Sequence, residues 1–135
     1  MNVIIVGCGR VGSTLAEQLG QEGHDVTVVD EDGARVQKVL ADNDIMGVIG
    51  NGASHSVLMD AGIEQADLLI AVTDSDELNL LCCLLAKKAG DCQTIARVRN
   101  PVYSQEGEFI KKSLGLSMII NPELAAAAEI ARVLR

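Results

Sequence analysis

The chain has 135 residues, enough for one domain with a real core and too short for a cofactor domain joined to a separate substrate domain. With 19 acidic against 11 basic residues, its formal charge of -8 repels a nucleic-acid backbone or an anionic lipid surface. No apolar run reaches the roughly 18 residues needed to span a bilayer, and with one Tyr, one Phe and no Trp the core is aliphatic and offers no stacking platform for bases.

Runs rich in Val, Ile and Leu predict strands at 2–6, 25–30, 45–49, 67–72, 94–99 and 117–120, each followed by a helical stretch. This alternation predicts βαβ crossovers in one α/β domain over 1–135, a Rossmann-like doubly wound sheet of six parallel strands in the order 3-2-1-4-5-6. The run "ADLLIAV" is almost continuously apolar, as a strand covered on both faces requires. Met1 leads straight into the first strand without a basic leader, so the chain reads as cytoplasmic.

Between the first strand and the first helix stands "GCGRVG", with Asp30 closing the next strand 18 residues after Gly12. Gly7 allows the tight turn, Gly9 lets backbone amides approach a pyrophosphate, and Gly12 lets the helix pack against the strand. The helix starting near Arg10 directs its free N–H groups and positive end at phosphates. Asp30 would accept from the ribose hydroxyls of an adenosine and repel a 2′-phosphate, which favours NAD or an adenine nucleotide over NADP.

Cys8 lies inside this loop and reads as a thiol without a functional role; the alternative is a more reactive thiol, if a helix N-terminus lowers its pKa. Cys82, Cys83 and Cys92 form no C-x-x-C pair and read as reduced, buried residues.

Further strand ends converge on the same crevice. "GNGAS" brings Asn51 and Gly52 to the adenine side, and "TDSDE" places Thr73 and Asp74 near the ribose or pyrophosphate. Arg97 of "RVRN" is placed to pair with a phosphate or with a neighbouring carboxylate. Asp74, Asp76 and Glu77 together suggest a metal cluster, but acidic residues in a helix's first turn answer the helix dipole alone. The helix they open runs to Lys87 and Lys88, with Gly90 as its stop, and its apolar middle suggests cover beyond its own sheet. Pro101 and Pro122 each follow an Asn and mark helix starts.

No acid or base stands where hydride transfer would need one. His24 precedes the second strand, at the wrong edge of the sheet, His55 opens the helix after the third, and Tyr103 is the only tyrosine. All six strand-helix units are consumed by the nucleotide fold, so no substrate domain remains and an enzyme is not expected. An NAD-dependent oxidoreductase subunit that borrows a substrate site from another chain is the alternative. In the last helix, Leu124, Ala126, Ala127, Ile130, Ala131, Val133 and Leu134 share an apolar arc opposite Glu129, Arg132 and Arg135, which predicts a subunit contact in at least a homodimer.

The stretches "IIVGCGRVGSTLAEQL", "HDVTVVDED", "GVIGNGASHSVLMDAGIEQADLLIAVTDSDELNLL", "TIARVRNP" and "GLSMIINPELAAAAEIA" span nearly the whole chain. In them the sequence resembles the RCK/KTN N-terminal domain, the nucleotide-binding regulatory domain of Trk-type potassium-uptake proteins and many potassium channels. The resemblance implies a cytoplasmic regulatory domain, peripheral to the membrane through a potassium transporter or channel subunit. It would bind NAD(H) or ATP/ADP, without catalysis, at Gly7, Gly9, Arg10, Val11, Gly12, Asp30, Asn51, Thr73, Asp74 and Arg97. Regulation of another cation transporter or antiporter is the alternative the resemblance leaves open. Thr73, Arg97 and Arg99 stand where the calcium-gated branch carries carboxylates, which argues against calcium gating there.

Overall fold

The structure is a computed structural model and is described over residues 1–121. In chain order it runs β1 (Asn2–Val6), α1 (Arg10–Gln21), β2 (Asp25–Asp30), α2 (Gly33–Asp42), β3 (Met46–Ile49), α3 (His55–Asp60) and a 3-10 turn (Ile63–Gln65). It continues through β4 (Leu68–Ala71), α4 (Asp76–Gly90), β5 (Gln93–Arg97), α5 (Pro101–Gln105), α6 (Gly107–Leu114) and β6 (Met118–Ile120). The six strands form one parallel sheet in the order β3-β2-β1-β4-β5-β6, as the sequence predicts.

β1 is the centre, with Ile5 registered against Val28 on one side and Ile70 on the other. Its side chains alternate between two cores. Val3 and Ile5 pack with Val11, Leu15 and Leu19 of α1 and Val36 and Val39 of α2. Ile4 and Val6 pack with Leu58 of α3 and with Leu80, Cys82, Cys83 and Ala86 of α4. Burial on both faces explains why the central strands read as unbroken apolar runs; each such side chain removed from water contributes on the order of 2 kcal/mol.

Side chains start most of the helices. Asp32 caps α2, Ser54 caps α3, Ser75 caps α4, and Asn100 caps α5 with Pro101 in the first turn. α1 differs: its N-cap is Gly9, which offers no side-chain acceptor.

Two local expectations are corrected. The segment after β5 folds as two short helices, α5 and α6, rather than one. Gly90 does not stop α4 but forms its last residue, and Asp91 takes the left-handed conformation (φ 53°) beyond it, its N–H donating to Lys87 O. Gly90 is small for another reason. A Cβ there would stand 2.2 Å from the carbonyl oxygen of Ile63, because the 3-10 turn crosses the end of the helix. α4 buries Leu80, Cys82, Cys83 and Ala86 while leaving Leu81 exposed. The expected last helix, and its contact with a second subunit, lie at 122–135, outside the described residues.

Candidate functional site

A cleft of about 450 Å3 opens where the strand order reverses, at the carboxyl ends of β1 and β4. This is the position at which open parallel sheets receive ligands, and the volume suits a small molecule. Its floor is the glycine loop. Gly7 adopts φ 108°, which L side chains rarely adopt, while its N–H donates to Val29 O and so turns the chain from β1 across β2. A Cβ on Gly12 would fall 1.7 Å from Gly7 O, so α1 can approach the strand only without one. Gly12 therefore shapes the loop from behind and does not line the cleft, whereas Gly7, Gly9, Arg10 and Val11 do.

Asp30 closes β2 beside the loop. Its Oδ2 accepts from Cys8 N–H at 2.7 Å and its Oδ1 from Asp32 N–H at 2.8 Å, which locks the ends of β1 and β2 together and holds the carboxylate at the cleft wall. Asn51 and Gly52 line the same cleft from the turn after β3. Asn51 Oδ1 accepts from Ala53 N–H at 2.8 Å, and a Cβ on Gly52 would meet Val6 Cγ1 at 2.4 Å.

Thr73, Asp74 and Arg97 form the far wall. Arg97 is 12% exposed and donates weakly through Nη1 to the carbonyls of Val72 and Thr73, each at 3.4 Å. Its Nη1 stands 3.7 Å from the carboxylate of Asp74, which is 84% exposed, and its buried Nε has no partner. Of the two pairings read from the sequence, the one with a neighbouring carboxylate is present, and the arginine also lines the cleft.

The residue behind this wall is Asn79, which sequence reasoning missed. It is fully buried, and its Oδ1 accepts from Thr73 N–H (2.9 Å) and Thr73 Oγ1–H (2.7 Å). Its Nδ2 donates to Thr73 O (3.1 Å) and Arg97 O (3.0 Å), so one amide ties the carboxyl ends of β4 and β5 together. Asp76 acts similarly one step outward, its buried carboxylate accepting from the N–H groups of Arg99 and Asn100. Glu77 accepts from Tyr103 Oη–H at 2.7 Å. Asp74, Asp76 and Glu77 are thus engaged in three separate directions, and no group of three or more metal-ligating side chains occurs among the described residues.

Arg35, from the first turn of α2, also lines the cleft and was not anticipated; its i, i+3 pairing with Asp32 disguises it as a surface helix residue. Cys8 is the buried thiol that the sequence favours. Burial, with the Asp30 carboxylate adding to it, pushes the thiol up to about 12, so it is a protonated core residue and not a reactive one. Burial likewise pushes Cys82 up to about 12 and raises Cys83 and Cys92. His24 faces away, its Nδ1 at 3.2 Å from the amino group of Met1.

No helix among the described residues is long and apolar enough to cross a membrane. Every arginine among them, Arg10, Arg35, Arg97 and Arg99, stands at the cleft or on its rim, Arg99 donating to Asp74 O at 3.1 Å. Of these, Arg10, Arg35 and Arg97 line the cleft together with three carboxylates, Asp30, Glu31 and Asp74.

The fold has close counterparts. The TrkA-N domain model matches residues 3–122. A Trk system potassium uptake protein TrkA homolog from Archaeoglobus fulgidus is 41% identical over 134 residues, covering 99% of this chain and 30% of the relative; the chain thus spans about a third of that protein's length. The TrkA-N domain of inner membrane protein ybaL from Escherichia coli superposes with a TM-score of 0.79 at 25% identity, covering 99% of this chain and 96% of that one. The GsuK channel bound to NAD shares the fold, with a TM-score of 0.75 at 23% identity over 89% of this chain and 21% of that one. From the glycine loop through the last described strand, the chain belongs to the TrkA-N domain family.

Proposed function

We propose that the chain is a nucleotide-sensing regulatory domain. It binds NAD(H), or ATP or ADP, in the cleft and transmits occupancy to a membrane-embedded potassium transporter or channel subunit without turning the ligand over. The observation that carries this reading is the uncapped start of α1 at Gly9 opening into a cleft that three arginines line. Unscreened N–H groups at a helix N-terminus and forked guanidinium donors are a chemistry for phosphate. Asp30 stands at the wall where a ribose diol would be held, which favours an unphosphorylated ribose.

The cleft walls support sensing over catalysis. Among the described residues lining it, the titratable groups are Asp30, Glu31, Asp74 and the arginines, with no His, Lys, Cys or Tyr to move a proton beside a hydride acceptor. The relatives' names and the NAD in the GsuK channel support the assignment of class. On this reading residues 1–135 form one nucleotide-binding unit, cytoplasmic and held at the membrane through its partner. It acts as a homodimer or larger assembly, in which a change at the cleft shifts the angle between subunits.

Calorimetric titration with NAD, NADH, NADP, ATP and ADP tests the reading. NADH or an adenine nucleotide binds more tightly than NADP, Gly9→Val abolishes binding, and Asp30→Ala narrows the discrimination. NADP binding as tight as NADH, or Gly9→Val binding like the parent, refutes it.

A further inference from the structure

We infer that Arg35 is a phosphate-pairing residue of the cleft, closing on the ligand's pyrophosphate from α2 opposite the start of α1. The inference rests on the nucleotide reading above and adds a contact that neither the glycine-loop motif nor the strand-end motifs contain.

The geometry begins at Asp32, whose Oδ1 accepts from Ala34 N–H at 3.0 Å and Arg35 N–H at 3.3 Å and so fixes the first turn of α2. From there the Arg35 side chain crosses toward the glycine loop. Its Nη1 lies 4.0 Å from the point a Cβ on Gly9 would occupy, the nearest atom from outside the loop. The second glycine of such a loop is small because a phosphate must come close to the backbone there. The Arg35 guanidinium therefore borders the space that Gly9 keeps open.

Its present partnership is weak. The ion pair between Arg35 Nε and Asp32 Oδ2 is 3.6 Å long, and both side chains are 52% exposed, a setting in which ion pairs contribute little. Among the described residues, neither terminal nitrogen of Arg35 donates a hydrogen bond to protein. Asp30 is not its counter-ion, since the carboxylate oxygens accept from Cys8 and Asp32 N–H groups and no ion pair joins the two. A forked donor with idle nitrogens, beside an uncapped helix start, matches the paired oxygens of a phosphate.

The test is calorimetric titration of the whole chain and of Arg35→Gln and Arg35→Lys with ADP, NADH and NADPH at two salt concentrations. Circular dichroism melting runs alongside and is expected to be unchanged, because the side chain is exposed. Arg35→Gln weakens ADP and NADH by about tenfold, as loss of a charge-assisted pair does. It also flattens the salt dependence of affinity, and Arg35→Lys recovers part of the loss. Affinity within twofold of the parent overturns the inference. So does a loss confined to NADPH, which would place Arg35 at a 2′-phosphate, and so does a loss with unchanged salt dependence, which would make it a stacking or structural residue. If the parent chain binds none of the three nucleotides, the nucleotide reading itself fails; if the parent binds and Arg35→Gln binds equally, only the role of Arg35 fails.

Discussion

Replacing Asn79 by alanine deletes four hydrogen bonds from a fully buried side chain, takes that partner from Thr73 N–H and Arg97 O, and leaves Thr73 O with only the weak 3.4 Å bond from Arg97 Nη1. At roughly 0.5–1.5 kcal/mol net per bond, the four together contribute about 2–6 kcal/mol. Thr73 borders the cleft, so water recovers part of the loss, and the expected cost is about 3 kcal/mol. A domain with 5–15 kcal/mol of stability survives this folded, with a midpoint lowered by roughly 12 °C at about 4 °C per kcal/mol. Urea unfolding followed by circular dichroism measures the cost, with an unchanged m-value showing that the folded and unfolded states keep their compactness. Asn79→Asp separates the polar clasp from simple packing. Its carboxylate keeps the acceptor facing Thr73 N–H but turns a second oxygen toward the carbonyls of Thr73 and Arg97. That environment favours the protonated acid, which can donate, so the folded-state pKa rises. Stability is then retained below the unfolded value of about 3.9 and lost as pH climbs through the raised one. The variant is therefore less stable than the parent at neutral pH, with a deficit that shrinks on acidification. A cost below about 0.5 kcal/mol for Asn79→Ala, within the range of ordinary surface changes, or an Asn79→Asp variant as stable as the parent at pH 7, refutes the clasp.

Gly90→Ala, favourable by helix propensity, instead destabilises by roughly 2–3 kcal/mol because the new Cβ meets Ile63 O at 2.2 Å; thermal melting measures it. Two glycines of the loop part company under the same substitution. Gly12→Ala disrupts the fold, with its Cβ 1.7 Å from Gly7 O, while Gly9→Ala has 4.0 Å of clearance and keeps the parent's melting curve while weakening nucleotide binding in calorimetry. The raised thiols at Cys8 and Cys82 predict alkaline sensitivity. The folded protein holds these protons more tightly than the unfolded chain, so stability is intact below pH 9 and falls between about 9 and 12, read by denaturant midpoints across pH. At neutral pH the four buried cysteines resist a thiol reagent until the chain is unfolded, and rapid labelling of folded Cys8 would contradict its burial.

The sheet was legible in the sequence because parallel strands covered on both faces must be apolar throughout. "NVIIV" and "DVTVVD" match β1 and β2 end to end, and the other four strands fall within two residues of their expected limits. The glycine loop was legible for an equally local reason: positive φ at Gly7 and the contact between Gly12 and Gly7 constrain residues five apart, so the rule is written in their spacing. The walls of the cleft were legible only in part. Asp30 and Arg97 end strands, Asn51 and Thr73 follow strand ends by two residues, and strand ends in this topology converge. Asn79 and Arg35 sit inside helices, where their spacing reads as a polar helix position and a surface ion pair. Asn79 acquires its role from the carbonyl of Arg97, eighteen residues away, and Arg35 from Gly9, twenty-six residues away. Gly90 looked like a helix stop because glycine usually is one, whereas the constraint comes from Ile63 crossing behind it. Periodicity and spacing record what a residue requires of its own segment, and which backbone passes beside it is decided only when the layers pack.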